Sequence, residues 1–206
     1  MEQFKILAYS RPVNIAVGFL LAAIWILFAY RHVVAYATSG HLAFLIFCFS
    51  ESLQAAFFIF RSAPKTVSLD PFDWTVGIMG TFTPLMFRPG GMVMWQGGEV
   101  MVAIAVLMQI AALLSLNRSF AIIAARREIK THGLYRFVRH PMYASYLILF
   151  SGYVLFNGTW LNVGLLMLSL VFLFLRVLQE EKHLSLDADY RAYKECVRYR
   201  LVPFLY

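Results

Sequence analysis

The chain has 206 residues, 61% of them hydrophobic and 14% charged, where a soluble domain is roughly half apolar and a quarter charged, so a water-soluble fold is excluded. Its net charge of +7 does not point to nucleic acid, because the basic residues cluster beside apolar runs, where the positive-inside rule places them. Cys48 lies in an apolar run and Cys196 in a polar tail, which excludes a disulfide framework and offers no metal-ligand spacing.

About 20 residues of helix cross ~30 Å of hydrocarbon, and six candidate crossings follow in chain order. The first is Val13–Tyr30, with Asn14 near its start. Lys5 and Arg11 precede it and Ala35-Tyr36-Ala37 mimics a signal cleavage site. The apolar run is too long for a signal core and Arg31-His32 intervenes, so a retained helix is expected. His41–Phe60 is second and contains Glu51 and Gln54. Such groups are costly in lipid and must face the protein interior or water. Glu51 is therefore a candidate contact for a substrate headgroup, or else a partner in an interhelical hydrogen bond.

Phe72–Phe87 is third and short, expected to bend or end near Pro84 and Pro89-Gly90-Gly91. Gly98–Leu116 is fourth, with Gln109 as helix–helix glue. Met142–Phe156 and Trp160–Leu178 are fifth and sixth, joined by Asn157-Gly158-Thr159, a turn that permits only an antiparallel hairpin. The predicted fold class is all-α, a polytopic integral membrane bundle of six transmembrane helices in one domain over residues 1–206. Lys5, Arg11, Arg61, Lys65, the cluster Arg118 to Arg139 and the basic tail then fall on one side, leaving Arg31 and Arg88 on the other. That asymmetry places both termini in the cytoplasm, and the tiny outer loops suggest a bacterial inner membrane. His32 and His41 are expected at the outer interface.

Two polar stretches remain, Asn117 to Arg139 and Gln179 to Tyr206, both inside. In the second, Leu186, Tyr190 and Tyr193 recur at helical spacing, which predicts a short helix against the membrane face or the first stretch. Counting about 18 residues back from Gly158 reaches His140, and about 18 forward reaches Arg176, so an antiparallel hairpin brings Glu180 and Glu181 to the depth of Arg139 and His140. Arg139 offers a donor fork for a carboxylate or phosphate, and the helix start near Pro141 favours an anion. Glu180 or Glu181 can hold an ammonium or hydroxyl, and Tyr135, Tyr143 and Tyr146 offer aromatic faces. A zwitterionic ligand with an aromatic part suits this set. Simple headgroup anchoring by Arg139 and His140 suits it equally on chemistry alone.

The stretch "HGLYRFVRHPMY", followed about 40 residues later by "QEEKHL", resembles the isoprenylcysteine carboxyl methyltransferase and phospholipid methyltransferase superfamily of small membrane enzymes. The likeness runs from Arg126 to the C-terminus, with "DYRAYKE" and Pro203 in the tail. It implies an S-adenosylmethionine-dependent methyltransferase that leaves S-adenosylhomocysteine as product. It further implies a cofactor site lined by His132, Gly133, Leu134, Tyr135, Arg139, His140, Pro141 and Tyr143. Glu180 or Glu181 would hold the cofactor's ammonium, and Arg139 its carboxylate or the acceptor. The family does without a Rossmann sheet, in keeping with the missing GxGxxG. Arg139, His140 and Glu180 are the candidate catalytic residues, with His140 or a tail glutamate as base for an amine or thiol acceptor. Residues 1–116 would face the substrate and 117–206 the cofactor. The acceptor is expected to be lipophilic or membrane-associated, an isoprenylcysteine-like carboxylate, a phospholipid amine or a small thiol, with the lipid bilayer as partner and no metal. Two alternatives stand beside this. One is a membrane sterol-type NADPH reductase, whose C-terminal region is similar but carries an asparagine where Met142 stands. The other is a non-catalytic membrane subunit.

Overall fold

The computed structural model describes residues 11–60, 66–67, 70–116, 125–126 and 131–205. Lys5, Arg61, Lys65 and residues 117–124 and 127–130 of the basic segment lie outside them, as do the side chains of Arg11, Asn14 and Arg126. Among the described residues seven α-helices run in chain order. They are α1 (Arg11–Ser39), α2 (Leu42–Phe60), α3 (Pro71–Phe82), α4 (Gly97–Leu116), α5 (Pro141–Phe156), α6 (Trp160–Leu184) and α7 (Ala188–Cys196). Each of the first six overlaps one expected segment. Within α4 and α6, Gly97–Ser115 and Trp160–Leu184 are long and apolar enough to cross a membrane unaided, while Leu42–Ala56 and Pro141–Phe156 are shorter apolar helices. A two-residue antiparallel ladder, Thr66↔Arg126 and Val67↔Ala125, ties the chain after α2 to the chain after α4.

Helix α1 continues nine residues beyond the expected Tyr30, because no breaker intervenes before Gly40. There a left-handed φ of +73° ends it, and the Gly40 N–H donates to the Tyr36 carbonyl at 2.8 Å. His32 consequently lies within the helix and faces the protein interior. It is fully buried, with Nδ1 2.8 Å from the Phe28 carbonyl and Nε2 2.9 Å from the Tyr153 hydroxyl. Around it Phe28, Phe47, Phe87, Phe150 and Tyr153 form the aromatic centre that joins α1, α2 and α5. Helix α3 starts on Asp70, whose carboxylate accepts from the Phe72 N–H, with Pro71 in the first turn. It tightens to a 3₁₀ turn at Thr83–Met86, where Pro84 supplies no amide hydrogen.

Helices α4 and α5 approach through glycines. A Cβ on Gly98 would lie 2.5 Å from the Gly152 carbonyl oxygen, and one on Gly152 would lie 2.7 Å from the Met101 Cβ. Small residues at such a crossing let backbones touch, the usual means of association where lipid removes the hydrophobic drive. Gly152→Val is expected to destabilise the bundle by about 1–3 kcal/mol or more, read as a lower melting temperature in detergent. An unchanged melting temperature would mean that these helices do not pack this closely.

The hairpin turn is stitched to the loop after α3. Met92 and Gly158 exchange backbone hydrogen bonds of 3.0 and 2.8 Å, and the Gly91 N–H donates to Asn157 Oδ1 at 2.6 Å. Thr159 caps α6 by accepting from the Asn162 N–H at 3.0 Å. These contacts fix the register of α5 against α6, and so what meets at their far ends.

Candidate functional site

At that far end the chain enters α5 through a 3₁₀ turn, Gly133–Arg136. Gly133 has φ +61°, and any Cβ there would overlap the Ser115 side chain at the end of α4, so only glycine seats the turn against that helix. Pro141 occupies the first turn of α5, and no side chain caps the helix. Instead the Arg139 N–H donates to the Tyr199 carbonyl at 2.9 Å and the His140 N–H to the Arg200 carbonyl at 2.8 Å. The C-terminal tail thus pairs with the segment that opens α5.

The Arg139 side chain completes this attachment. Its Nε donates to Glu181 Oε1 at 2.6 Å, and one terminal nitrogen donates to the Val197 and Arg198 carbonyls at 2.8 and 2.6 Å. His140 Nε2 lies 3.2 Å from the same carboxylate oxygen, and Arg200 Nε donates to Oε2 at 2.9 Å. Both oxygens of Glu181 are therefore engaged, and the Arg139 and Glu181 side chains are only 6% and 5% exposed. A buried ion pair of this kind holds together only when its remaining donors and acceptors are satisfied, as they are here.

Glu180 has a different environment. It is half-buried, and its Oε2 accepts from the Tyr143 hydroxyl at 2.7 Å. The Arg176 guanidinium lies 5.2 Å from the centre of the Tyr143 ring. From Tyr143 an aromatic file, Tyr146 then Phe150, leads into the bundle. Glu51, on α2 and also buried, lies within electrostatic reach of the Tyr146 phenol and accepts from Gln54 at 3.3 Å. Gln109 binds Ser50 across α4 and α2 at 2.6 Å.

The tail helix α7 faces this cluster with Tyr190 and Tyr193. The Tyr193 hydroxyl donates to the Tyr135 carbonyl at 2.5 Å, while Leu186 lies before the helix and is exposed. Burial pushes the Tyr190 phenol well above its usual range, and the charges of Glu181 and Glu180 push it further, so it stays a hydroxyl donor. That hydroxyl is buried and has no hydrogen-bond partner among the described residues. Tyr135 is raised in the same way by burial and then by Glu180.

The hairpin therefore brings Arg139, His140, Tyr143, Glu180 and Glu181 into direct contact, with Pro141 buried among them. Gly133, half-buried Leu134 and exposed His132 border the end of α4, and no side-chain hydrogen bond links His132 to the acidic pair among the described residues. Arg176, Tyr190 and Arg200 were not anticipated as site residues. Arg176 had a signal, being the only charge inside the Trp160–Leu178 apolar run. Arg200 had none, since nothing separates it in sequence from Arg191 and Arg198.

Residues 91–187 match the family described as phospholipid methyltransferase. The match includes the loop 91–96 and α4, which carry none of the motifs read in the sequence, and it ends before α7. Comparison with curated proteins returns no match. Residues 91–187, which cover α4, the hairpin and the acidic pair, are thus similar to the phospholipid methyltransferase family.

Proposed function

We propose that the protein transfers a methyl group from S-adenosylmethionine to a lipophilic or membrane-associated acceptor at the membrane face. The observation that carries this reading is the half-buried Glu180 carboxylate, held by Tyr143 beside the unpartnered Tyr190 hydroxyl. A zwitterionic ligand fits that arrangement, because one Glu180 oxygen accepts nothing among the described residues and can take its ammonium, while the Tyr190 hydroxyl can donate to its carboxylate. S-adenosylmethionine supplies a methyl on a sulfonium, whose positive charge is lost during transfer. Glu180 binds the ammonium, and Tyr143 orients Glu180. Arg139 and Glu181 act as positioning residues, locking residues 197–200 onto the start of α5. His132, Gly133, Leu134, Tyr135 and Pro141 line the nucleoside side of the site.

The acceptor has to arrive aligned and within ~3–3.5 Å of the methyl, so holding geometry is the main catalytic contribution. His140, with its Nε2 on Glu181, keeps Nδ1 for the acceptor's proton where an amine or thiol needs a base. Glu51 and the Tyr146 phenol line the acceptor's path from the lipid, in the part formed by residues 1–116. Six crossings with both termini cytoplasmic, in a bacterial inner membrane, complete the reading.

The test is transfer of label from methyl-labelled S-adenosylmethionine into extracted lipids or added thiols by reconstituted protein. Label in a single acceptor class, absent with Glu180→Gln, is the expected result. Equal background labelling by both proteins would overturn the proposal.

A further inference from the structure

The end of the bundle away from Glu181 carries two arginines that the site above does not use. Arg31 on α1 and Arg88 after the 3₁₀ turn line one cavity of about 240 Å³, whose other walls are apolar, among them Leu27, Phe28, Leu85 and Leu161. No carboxylate lines it, and neither guanidinium makes a hydrogen bond or ion pair among the described residues.

Buried polar groups fix the main chain that carries both arginines. The Arg88 N–H donates to Asn162 Oδ1 at 3.1 Å, and its carbonyl accepts from Asn157 and Asn162 at 2.7 and 2.8 Å. Asn157 and Asn162 are 1% and 0% exposed. Arg31 adjoins His32, whose ring is fixed between Phe28 and Tyr153. Two guanidinium groups lining one apolar cavity repel each other, and its hydrocarbon walls cannot solvate them. An anion with several oxygens relieves both costs, since guanidinium matches phosphate geometry.

We infer that this cavity binds an anionic phospholipid, with its phosphate between Arg31 and Arg88 and an acyl chain along the apolar wall. The headgroup carries no cation of its own, because an ammonium beside the phosphate would be repelled by the two guanidinium groups. The lipid is not the methyl acceptor. Seventeen residues separate His140 from Asn157, which places the cavity about 25 Å along α5 from the proposed transfer site. It is a bound structural or regulatory lipid.

The test counts lipid retained on purified full-length protein by native mass spectrometry, with dioleoylphosphatidylglycerol and dioleoylphosphatidylcholine offered in turn. The protein is expected to retain the first about tenfold better at low salt, as repulsion of the choline cation by two guanidinium groups implies, and to lose that preference at high salt. Arg31→Gln/Arg88→Gln removes the preference, whereas Arg31→Lys/Arg88→Lys keeps part of it. Three results would overturn the inference. They are equal retention of both lipids, a preference insensitive to salt, and displacement of phosphatidylglycerol by inorganic phosphate, which would mark a free-anion site. The salt arm uses unaltered protein and so decides even where a variant fails to fold.

Discussion

Glu181→Ala is expected to destabilise the protein by about 3–5 kcal/mol, because it leaves Arg139 buried with no counter-charge. One carboxylate receives Arg139, His140 and Arg200, and it is the only acidic partner these three share among the described residues. Arg139 also holds the Val197 and Arg198 carbonyls, so losing its counter-ion frees the tail as well. The melting temperature should fall, and limited proteolysis should cut residues 188–205 first. Pairing the change with Arg139→Leu removes the stranded charge and should restore part of the stability, though not the tail attachment. A double variant no more stable than Glu181→Ala would mean that the buried charge is not the source of the loss.

Glu180→Gln is expected to do the reverse, leaving the fold intact and weakening S-adenosylmethionine binding at least about thirtyfold, as removal of one charge from a close pair does. Glu180 is half-buried and carries no ion pair among the described residues, so its neutralisation strands no cation. Tyr143→Phe should weaken binding less, since it frees the carboxylate without discharging it. Calorimetry on detergent-solubilised protein measures both. Equal affinity in Glu180→Gln and unaltered protein would remove Glu180 from the site.

The contrast between these neighbours marks where sequence reading stops. That the acidic pair Glu180-Glu181 comes back to the depth of Arg139 and His140 was legible, because Asn157-Gly158-Thr159 sets the turn and both helices rise equally per residue. Which glutamate faces which partner was not. Consecutive residues on a helix point about 100° apart, and the rotation of α6 is set by packing that the hairpin count does not contain. The tail clamp was illegible for a different reason. The Tyr199 and Arg200 carbonyls bind through the main chain, which leaves no side-chain signature.

Polar residues next to apolar runs misled in one place. Arg31-His32 read as the start of an outer loop, yet α1 passes through both. The polarity of His32 is met by Tyr153, 121 residues away in sequence, a pairing that no local pattern announces. The bend at Pro84 was legible because it follows from proline's own chemistry, a missing donor. The α4–α5 crossing is set by glycines whose spacing in sequence is unremarkable until the helices are placed side by side.

The central claim is that the hairpin ends build a site for S-adenosylmethionine. Saturation binding of radiolabelled S-adenosylmethionine and of NADPH to the purified, detergent-solubilised protein tests it most directly. Saturable binding of S-adenosylmethionine alone, competed by S-adenosylhomocysteine and lost in Glu180→Gln, is the predicted result. Saturable binding of NADPH with none of S-adenosylmethionine would contradict the account.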